Sequence, residues 1–289
     1  MQPKNQSENS DEGRFNKVGS PKELINLPTG KPHISFSEVK LWKECSYRHH
    51  LIHIKKIDLS KPSPVLAFGT AVHSAMESFL LTKEMKPEIA MNALEKEWEE
   101  KKNFDEFTTA SLNQAKKDAE IILAEVPSFF EKEFHEWEVV DAEHQLYESI
   151  DGHPNHAFKG FIDGVIKTKG KKGETLYWIL DHKTTARGWF REKRSDDMVK
   201  AQLALYKNYW CQKNPDVPFK NVRCGFVLLK KSAKPGEHCE LFSVSLGEVP
   251  IKRSLKVVSN MITSVKRGIS LKNRDSCTYC EFKNSEHCT

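Results

Sequence analysis

The change of apolar spacing near residue 138 is the feature that most constrains what this chain of 289 residues can fold into. Before that point the apolar residues mostly recur at helical spacing, as Val72, Met76, Phe79 and Leu80 do. After it, three strand patterns follow one another: "WEVVDAEHQLYESI", "AFKGFIDGVIKT" and "TLYWILDHKTT". The polar, glycine-containing stretch "KGKKGE" predicts a hairpin between the last two. The chain is therefore expected to combine a helical first part with a sheet.

The later elements alternate between the two spacings. Residues 196–213 return to helical spacing, and the stretches "VRCGFVLLKK" and "CELFSVSL" are strand candidates. A last helix is predicted in "VPIKRSLKVVSNMITSVKRG". Near the beginning, Ser35 or Ser37 is a candidate N-cap for a first helix.

Composition sets the class of protein. Hydrophobic residues make up 38% of the chain, which is enough for one large domain or two small ones. Residues 1–30 carry few apolar groups and are predicted to form a disordered polar tail. No apolar run is expected to approach the length of a membrane span, and the N-terminus lacks the apolar core of a signal peptide. We expect a cytoplasmic protein with no membrane contact, whose net charge of +5 permits an acidic partner without requiring one.

Polar residues interrupt two neighbouring strand patterns. Asp181 and Lys183 end an apolar strand and point to the same face of it, because strand residues two apart share a face. Asp163 interrupts the preceding strand, so a hairpin would bring it close to Asp181. Two carboxylates beside a lysine suit Mg²⁺ or Mn²⁺ and the hydrolysis of a phosphate ester. The alternative is a surface ion pair with little energetic value.

Two helical segments carry further candidates. His73 lies four residues after Gly69, which we expect at a helix start, and it could be another metal ligand or an ordinary hydrogen-bonded histidine. Gln202 and Tyr206 are four residues apart and share a helix face. Their polar tips suit a phosphate or a base, although a plain helix surface would show the same pattern.

The order "GTAVH", "GFID", "LDHK" and "QLALY" resembles the RecB-like branch of the PD-(D/E)XK nuclease superfamily. The similarity is greatest to the CRISPR-associated and phage-encoded single-strand exonucleases that carry an iron–sulfur cluster. It covers the chain from about Ser35 to Cys288. The resemblance implies an α/β fold with a restriction-endonuclease-like core, in which helices flank a mixed central sheet. Residues 31–289 would form this nuclease domain, with a helical insertion at about 84–137.

The resemblance also implies roles for the quoted residues. The metal ligands would be His73, Asp163 and Asp181, with help from the backbone carbonyl of His182. Lys183 would be the catalytic lysine, and Gln202 and Tyr206 an accessory pair. Glu143 resembles the acidic residue of the first core strand, where it would support the site rather than bind metal.

The cysteines suggest a second centre. Cys277, Cys280 and Cys288 form a C-x₂-C-x₇-C array near the C-terminus, and Cys45 could supply a fourth ligand. Four thiolates suit a [4Fe–4S] cluster or structural Zn²⁺. A histidine, His287 or one of His49 and His50, could replace a cysteine in a zinc site. The resemblance favours the iron–sulfur cluster, which would join the N-terminal helical region to segment 277–288. The other cysteines, Cys211, Cys224 and Cys239, are predicted to be small buried hydrophobic residues.

The expected function is metal-dependent hydrolysis of DNA by an exonuclease acting on single strands or free ends, in recombination, repair or phage DNA metabolism. The stretch "TTARGWFREKR" interleaves Trp189 and Phe190 with basic residues, which favours single-strand binding, although the aromatic rings could instead pack on the core. A structure-specific endonuclease and a non-catalytic nucleic-acid-binding module on the same scaffold are the alternatives.

Overall fold

The structure, a computed structural model, describes residues 23–288, and over these residues six strands form one mixed sheet. Strands β1 and β3 are parallel, as are β4 and β5, whereas the β2–β3, β3–β4 and β5–β6 pairs are antiparallel. The sheet order is β1-β3-β4-β5-β6, and β2 also pairs with β3. The strands are β1 (His33–Ser35), β2 (Glu138–Ile150), β3 (His153–Lys169), β4 (Thr175–Thr185), β5 (Val222–Lys230) and β6 (Cys239–Ser243).

Helices cover both faces of this sheet. One core lies between the sheet and α7 and α8, and a second lies between the sheet and α3, α4 and α5. The predicted α/β architecture is therefore confirmed. The helices are α1 (Phe36–Glu44), α2 (Ser46–His49), α3 (Pro64–Thr82), α4 (Pro87–Glu100), α5 (Thr109–Phe134), α6 (Arg191–Ser195), α7 (Asp197–Lys213) and α8 (Glu248–Lys266).

Local sequence explains where several of these elements begin. The Ser35 hydroxyl accepts a hydrogen bond from the backbone N–H of Glu38 at 3.3 Å and caps α1. Asp196 caps α7 in the same way, through the N–H of Met198 at 2.7 Å. Proline occupies the first turn of both α3 and α4, where its missing N–H costs nothing. Helix α3 thus begins at Pro64, and Gly69 lies inside the helix rather than at its start.

The central position of β4 explains its apolar sequence. Its residue Ile179 is buried in the α7–α8 core, whereas Leu180 is buried in the α3–α5 core. Parallel β5 is covered in the same way, with Phe226 on one side and Val227 on the other. Strands buried on both faces are apolar throughout, so the run before Asp181 belongs to the interior.

Two expectations need correction. Among the described residues, helix α3 is long and apolar enough to cross a membrane by length and composition alone. Its apolar residues, including Phe68 and Leu80, are buried between the sheet and the neighbouring helices, which explains the composition. The predicted tail over 1–30 falls partly outside the described residues. Within residues 23–30, Leu27 and Thr29 are buried, and the N–H of Ile25 donates to the carbonyl of Asn155 at 3.0 Å.

Candidate active site

The separation of β3 from β4 opens the candidate site. Their pairing runs from Lys169 opposite Thr175 up to Gly164 opposite Leu180. At the next position Asp163 makes a different contact, because its Oδ2 accepts a hydrogen bond of 2.6 Å from the backbone N–H of His182. The Asp163 carboxylate therefore lies where the two strands part, as the predicted hairpin required.

Strand β3 changes the direction of its side chains at Asp163. Residues two apart on a strand normally point to the same face. Here Ile162 is buried in the α7–α8 core, whereas a Cβ atom on Gly164 would lie 2.6 Å from Leu80 of α3 in the opposite core. A side chain at position 164 would require Leu80 to move.

The neighbouring strand β2 is unusual at the corresponding point. Ala142 pairs with Gly164 and His144 pairs with Ile162, so Glu143 lies beside Asp163. Glu143 has φ of 51°, in the left-handed region that residues other than glycine rarely occupy. Such strain persists where the surrounding structure imposes it, and it clusters at functional sites.

These two distortions produce a compact group of ligand atoms. One atom from each of His73, Glu143 and Asp163 lies within 4.8 Å of the other two, and His73 Nδ1 is 3.6 Å from Asp163 Oδ2. Burial raises the pKa of Glu143, and the charge of Asp163 raises it further. Two carboxylates and one imidazole close together are a donor set that fits Mg²⁺ or Mn²⁺. Helix α3 supplies His73, and the two strands supply the carboxylates.

Asp181 lies beside this group and has protein partners for both oxygens. Gln202 Nε2 donates to Oδ1 at 2.7 Å, and Lys183 Nζ is 2.5 Å from Oδ2. Burial raises the pKa of Asp181 to about 6, against the opposing effect of Lys183. Burial disfavours the charged form of Lys183 as well, but the carboxylates of Asp181 and Asp163 outweigh it and raise its pKa. Lys183 is therefore a cation held at the end of β4.

The pair on α7 links Asp181 to β3. Gln202 Nε2 also lies 3.2 Å from the Tyr206 hydroxyl. Tyr206 is hydrogen-bonded to the backbone of Phe161, and burial is the main cause of its raised pKa. Gln202 and Tyr206 thus point towards the strand ends, as the sequence analysis expected.

His182 lies on the opposite side of β4 from Asp181 and Lys183. Its ring is buried, and it meets the ring of His73 edge to face with 5.9 Å between centroids. Burial, together with the charge of His73, lowers the pKa of His182 to about 3. The backbone N–H of His182 donates to Asp163, and the contribution of its carbonyl to metal binding stays a prediction.

Glu143, expected to support the site, contributes to the compact group of ligand atoms, whereas Asp181 lies next to that group. The metal-binding role expected of Asp181 stays a prediction. Sequence reasoning also missed Glu77, one helical turn after His73, whose charge further raises the pKa of Glu143. The four-residue spacing from His73 was the signal that could have identified it.

The four cysteines of the predicted centre lie near the C-terminal end of α1, where Cys45 is the C-cap. Cys45, Cys277, Cys280 and Cys288 line one cavity of about 270 Å³. The backbone N–H groups of Arg48 and Asn273 each approach Cys45 Sγ at 3.5 Å. Among residues 23–288, these cysteines are not in the group of side chains whose ligand atoms lie within 4.8 Å of one another, so the iron–sulfur cluster and the zinc site stay predictions.

Protein contacts already hold this region together. Tyr47 donates to the carbonyl of His287 at 3.1 Å, and Arg48 pairs with Glu281 at 2.6 Å. By contrast, Cys211 and Cys224 are buried in the α7–α8 core, and Cys239 packs beside the other core. Burial raises the pKa of both the Cys224 and Cys239 thiols to about 12.

The two aromatic residues in the segment after β4 differ in their exposure to solvent. Trp189 is buried against Phe226 and Phe242, so this ring packs on the core. Phe190 is 76% exposed. Arg194 is paired with Glu240 at 2.5 Å. Part of the expected strand-binding segment is therefore structural.

A mixed sheet whose strand ends gather acidic residues beside an Asp-x-Lys pair defines a nuclease-type site. A family model of the PD-(D/E)XK nuclease superfamily matches residues 33–285, and the chain belongs to that superfamily. This confirms the resemblance found in the sequence, and membership implies a DNA substrate. No curated protein gives a significant match to the chain.

A solved structure from Eubacterium rectale, named a "putative exonuclease", has a similar fold. The TM-score is 0.54 at 14% sequence identity, and the match covers 96% of this chain and 94% of that one. At this identity the similarity supports the fold alone.

Proposed function

We propose that this nuclease is a Mg²⁺- or Mn²⁺-dependent DNA exonuclease that acts on single strands or free DNA ends. The observation that carries the proposal is the grouping of His73, Glu143 and Asp163 next to the Asp181–Lys183 pair. A group of metal-ligand atoms beside a held cation is the arrangement that phosphodiester hydrolysis needs.

Each residue has a distinct part in this proposal. His73, Glu143 and Asp163 would hold the divalent ion, which would neutralise phosphate charge and lower the pKa of a bound water. Lys183 stabilises negative charge that develops on the phosphate and orients the attacking water. Asp181 fixes the lysine ammonium, and Gln202 fixes Asp181. Tyr206 supports Gln202 from the same helix.

The exonuclease assignment is supported only by the name given to the E. rectale protein of similar fold. A structure-specific endonuclease would use the same hydrolytic residues. The two are distinguished by incubation with end-labelled linear and covalently closed circular single-stranded DNA, with Mg²⁺ or Mn²⁺ and with EDTA. We expect loss of the linear DNA alone, and only with metal. Cutting of the circle would establish an endonuclease, and binding without cutting would establish a non-catalytic module.

We further propose that Cys45, Cys277, Cys280 and Cys288 bind a [4Fe–4S] cluster, with structural Zn²⁺ as the second candidate. The shared cavity and the N–H groups directed at Cys45 support four thiolate ligands. Iron, sulfide and zinc analysis of protein purified without oxygen distinguishes the two. The pathway we propose is recombination, repair or phage DNA metabolism in the cytoplasm.

A further inference from the structure

Within residues 23–288, the part of the sheet beyond the metal-ligand group is covered by a helical core on only one face. The α3–α5 core takes its β3 contribution from Ile166, on the far side of Asp163 from β1. On the other face, the α7–α8 core continues past Asp163 and includes Ile162 and Phe158. The stretch of β3 that leads to Asp163 is therefore buried under α7 and lacks the α3–α5 core on its opposite side.

Strand pairing identifies the side chains on that opposite side. Leu146 of β2 and Phe158 and Ile162 of β3 are in the α7–α8 core. The residues next to them in each strand therefore point to the opposite face. Gln145 pairs with Phe161, and Tyr147 pairs with Lys159. We call these four residues, Gln145, Tyr147, Lys159 and Phe161, the open strand face.

The open strand face combines exposed aromatic surface with positive charge. Phe161 is 44% exposed, and Lys159 Nζ lies 5.6 Å from the centroid of its ring. The ring of Tyr147 meets that of His33 edge to face at 5.7 Å. Burial lowers the pKa of His33, and the charges of Lys159 and Lys31 lower it further, which is the effect of a positive field.

This face continues directly into the metal-ligand group. Phe161 precedes Asp163 by two residues, and Gln145 follows Glu143 by two residues, on paired strands. Two strand residues span about 6.6 Å, so a nucleotide next to the reacting phosphate would reach the Phe161 ring. On the other face of the strand, Tyr206 is hydrogen-bonded to the backbone of Phe161.

We propose that the open strand face binds the DNA strand entering the site, with a base stacked on Phe161 and a phosphate paired with Lys159. This inference rests on the proposed nuclease function and names its substrate as a single strand. Inside a duplex the flat face of a base is covered by its neighbours, so an exposed ring favours a base of a single strand. Aromatic rings interleaved with cations hold single strands without reading their sequence.

Binding measurements test the stacking. The probe is a fluorescein-labelled oligodeoxythymidylate in EDTA, so that no cleavage occurs. Phe161→Ala should raise Kd by roughly tenfold, and Phe161→Tyr should restore it. An oligonucleotide with abasic positions should bind wild-type protein more weakly, yet bind Phe161→Ala as the intact one does. Phe104→Ala is the matched control, because Phe104 is 45% exposed on the helical insertion.

The charge has its own readout. Lys159→Gln should reduce the slope of log Kd against log salt concentration by about 0.7, the value for one phosphate contact on a single strand. With Mn²⁺ added, Phe161→Ala should raise KM and leave kcat near the wild-type value.

The outcomes separate this inference from the proposed function. If wild-type protein binds DNA through Phe161 but never cleaves it, the exonuclease proposal is rejected and the proposed role of the open strand face is supported. If wild-type protein is active and Phe161→Ala leaves both Kd and KM unchanged, the proposed DNA-binding role of the open strand face is rejected and the nuclease proposal stands. Wild-type protein that neither binds nor cleaves would overturn both.

Discussion

Gln202 of α7 donates a hydrogen bond of 2.7 Å to the buried carboxylate of Asp181 on β4. The same carboxylate is 2.5 Å from the ammonium of Lys183. Asp181 is thereby fixed between a neutral donor and a cation. Helix α7 is therefore part of the site, although it supplies none of the ligand atoms grouped around His73, Glu143 and Asp163.

Removal of the lysine charge should stop catalysis and spare binding. We expect Lys183→Ala to lower kcat by more than about 100-fold, because a cation that stabilises transition-state charge contributes several kcal/mol. Affinity for single-stranded DNA in EDTA should stay close to that of wild-type protein. Single-turnover cleavage with Mn²⁺ measures the effect, and Asp181→Ala should behave similarly. Near-normal turnover in either variant would contradict the assignment.

The accessory pair should matter less. Gln202→Ala removes one partner of Asp181 but leaves Lys183 in contact with it, so we expect a loss of about tenfold in kcat. Tyr206→Phe keeps the ring beside Gly160 and removes only the hydroxyl, and a smaller loss is expected. The same cleavage assay compares them. A Gln202→Ala variant as inactive as Asp181→Ala would show that Gln202 takes a direct part in the reaction.

The left-handed backbone of Glu143 predicts a trade between stability and activity. Glycine adopts this conformation without strain, whereas other residues lose about 1–2 kcal/mol there. Glu143→Gly should therefore unfold at a higher urea concentration than Glu143→Ala, which keeps the strain. Both variants should lose Mn²⁺ affinity, measured by calorimetry. Equal urea midpoints for the two variants would argue against strain at this position.

Burial of His182 predicts acid sensitivity of the metal-free protein. Its pKa is about 3 when folded, against an ordinary value of 6.5. As pH falls from 6.5 towards 3, the unfolded chain binds a proton that the folded protein refuses. The free energy of unfolding should therefore fall by up to about 1.4 kcal/mol per pH unit from this residue.

Urea unfolding in EDTA at pH 7, 5.5 and 4.5 checks the expectation. Wild-type protein should lose stability steadily, because burial also lowers the pKa values of His33, His50, His53, His153 and His156. His182→Gln should show a shallower slope. Identical slopes for the two proteins would mean that His182 is not held neutral.

The cysteine cavity predicts colour and a stability effect. Protein purified without oxygen should be brown and contain iron and sulfide, and Cys45→Ser should bleach it and lower its melting temperature. Cys224→Ser is the matched control, because that thiol is buried away from the cavity and should leave the colour unchanged. Colourless wild-type protein with stoichiometric zinc would reject the cluster and keep the four ligands.

The sequence was sufficient to predict most of the elements and their order, but not the short strand β1 or the short helix α6. Helical and strand spacing reflect burial, and the hairpin between β3 and β4 made the approach of Asp163 to Asp181 a geometric expectation. The place of Glu143 was not predictable in this way, because nothing in "DAEHQL" indicates a left-handed backbone at a glutamate. The burial of Trp189 and the exposure of Phe161 depend on which sheet face a helix covers, and spacing alone does not report that.

The candidate site is assembled from residues that are far apart in the chain, from His73 to Tyr206. His73 lies in α3, Glu143 and Asp163 in paired strands, and Gln202 in α7. During synthesis, a growing polypeptide that has not yet added α7 lacks a partner of Asp181, and one that stops before β3 has no Asp163. Incomplete or proteolytically shortened copies would therefore lack part of the site and be inactive. Nuclease activity is therefore expected only after α7 has been synthesised and packed against the strands.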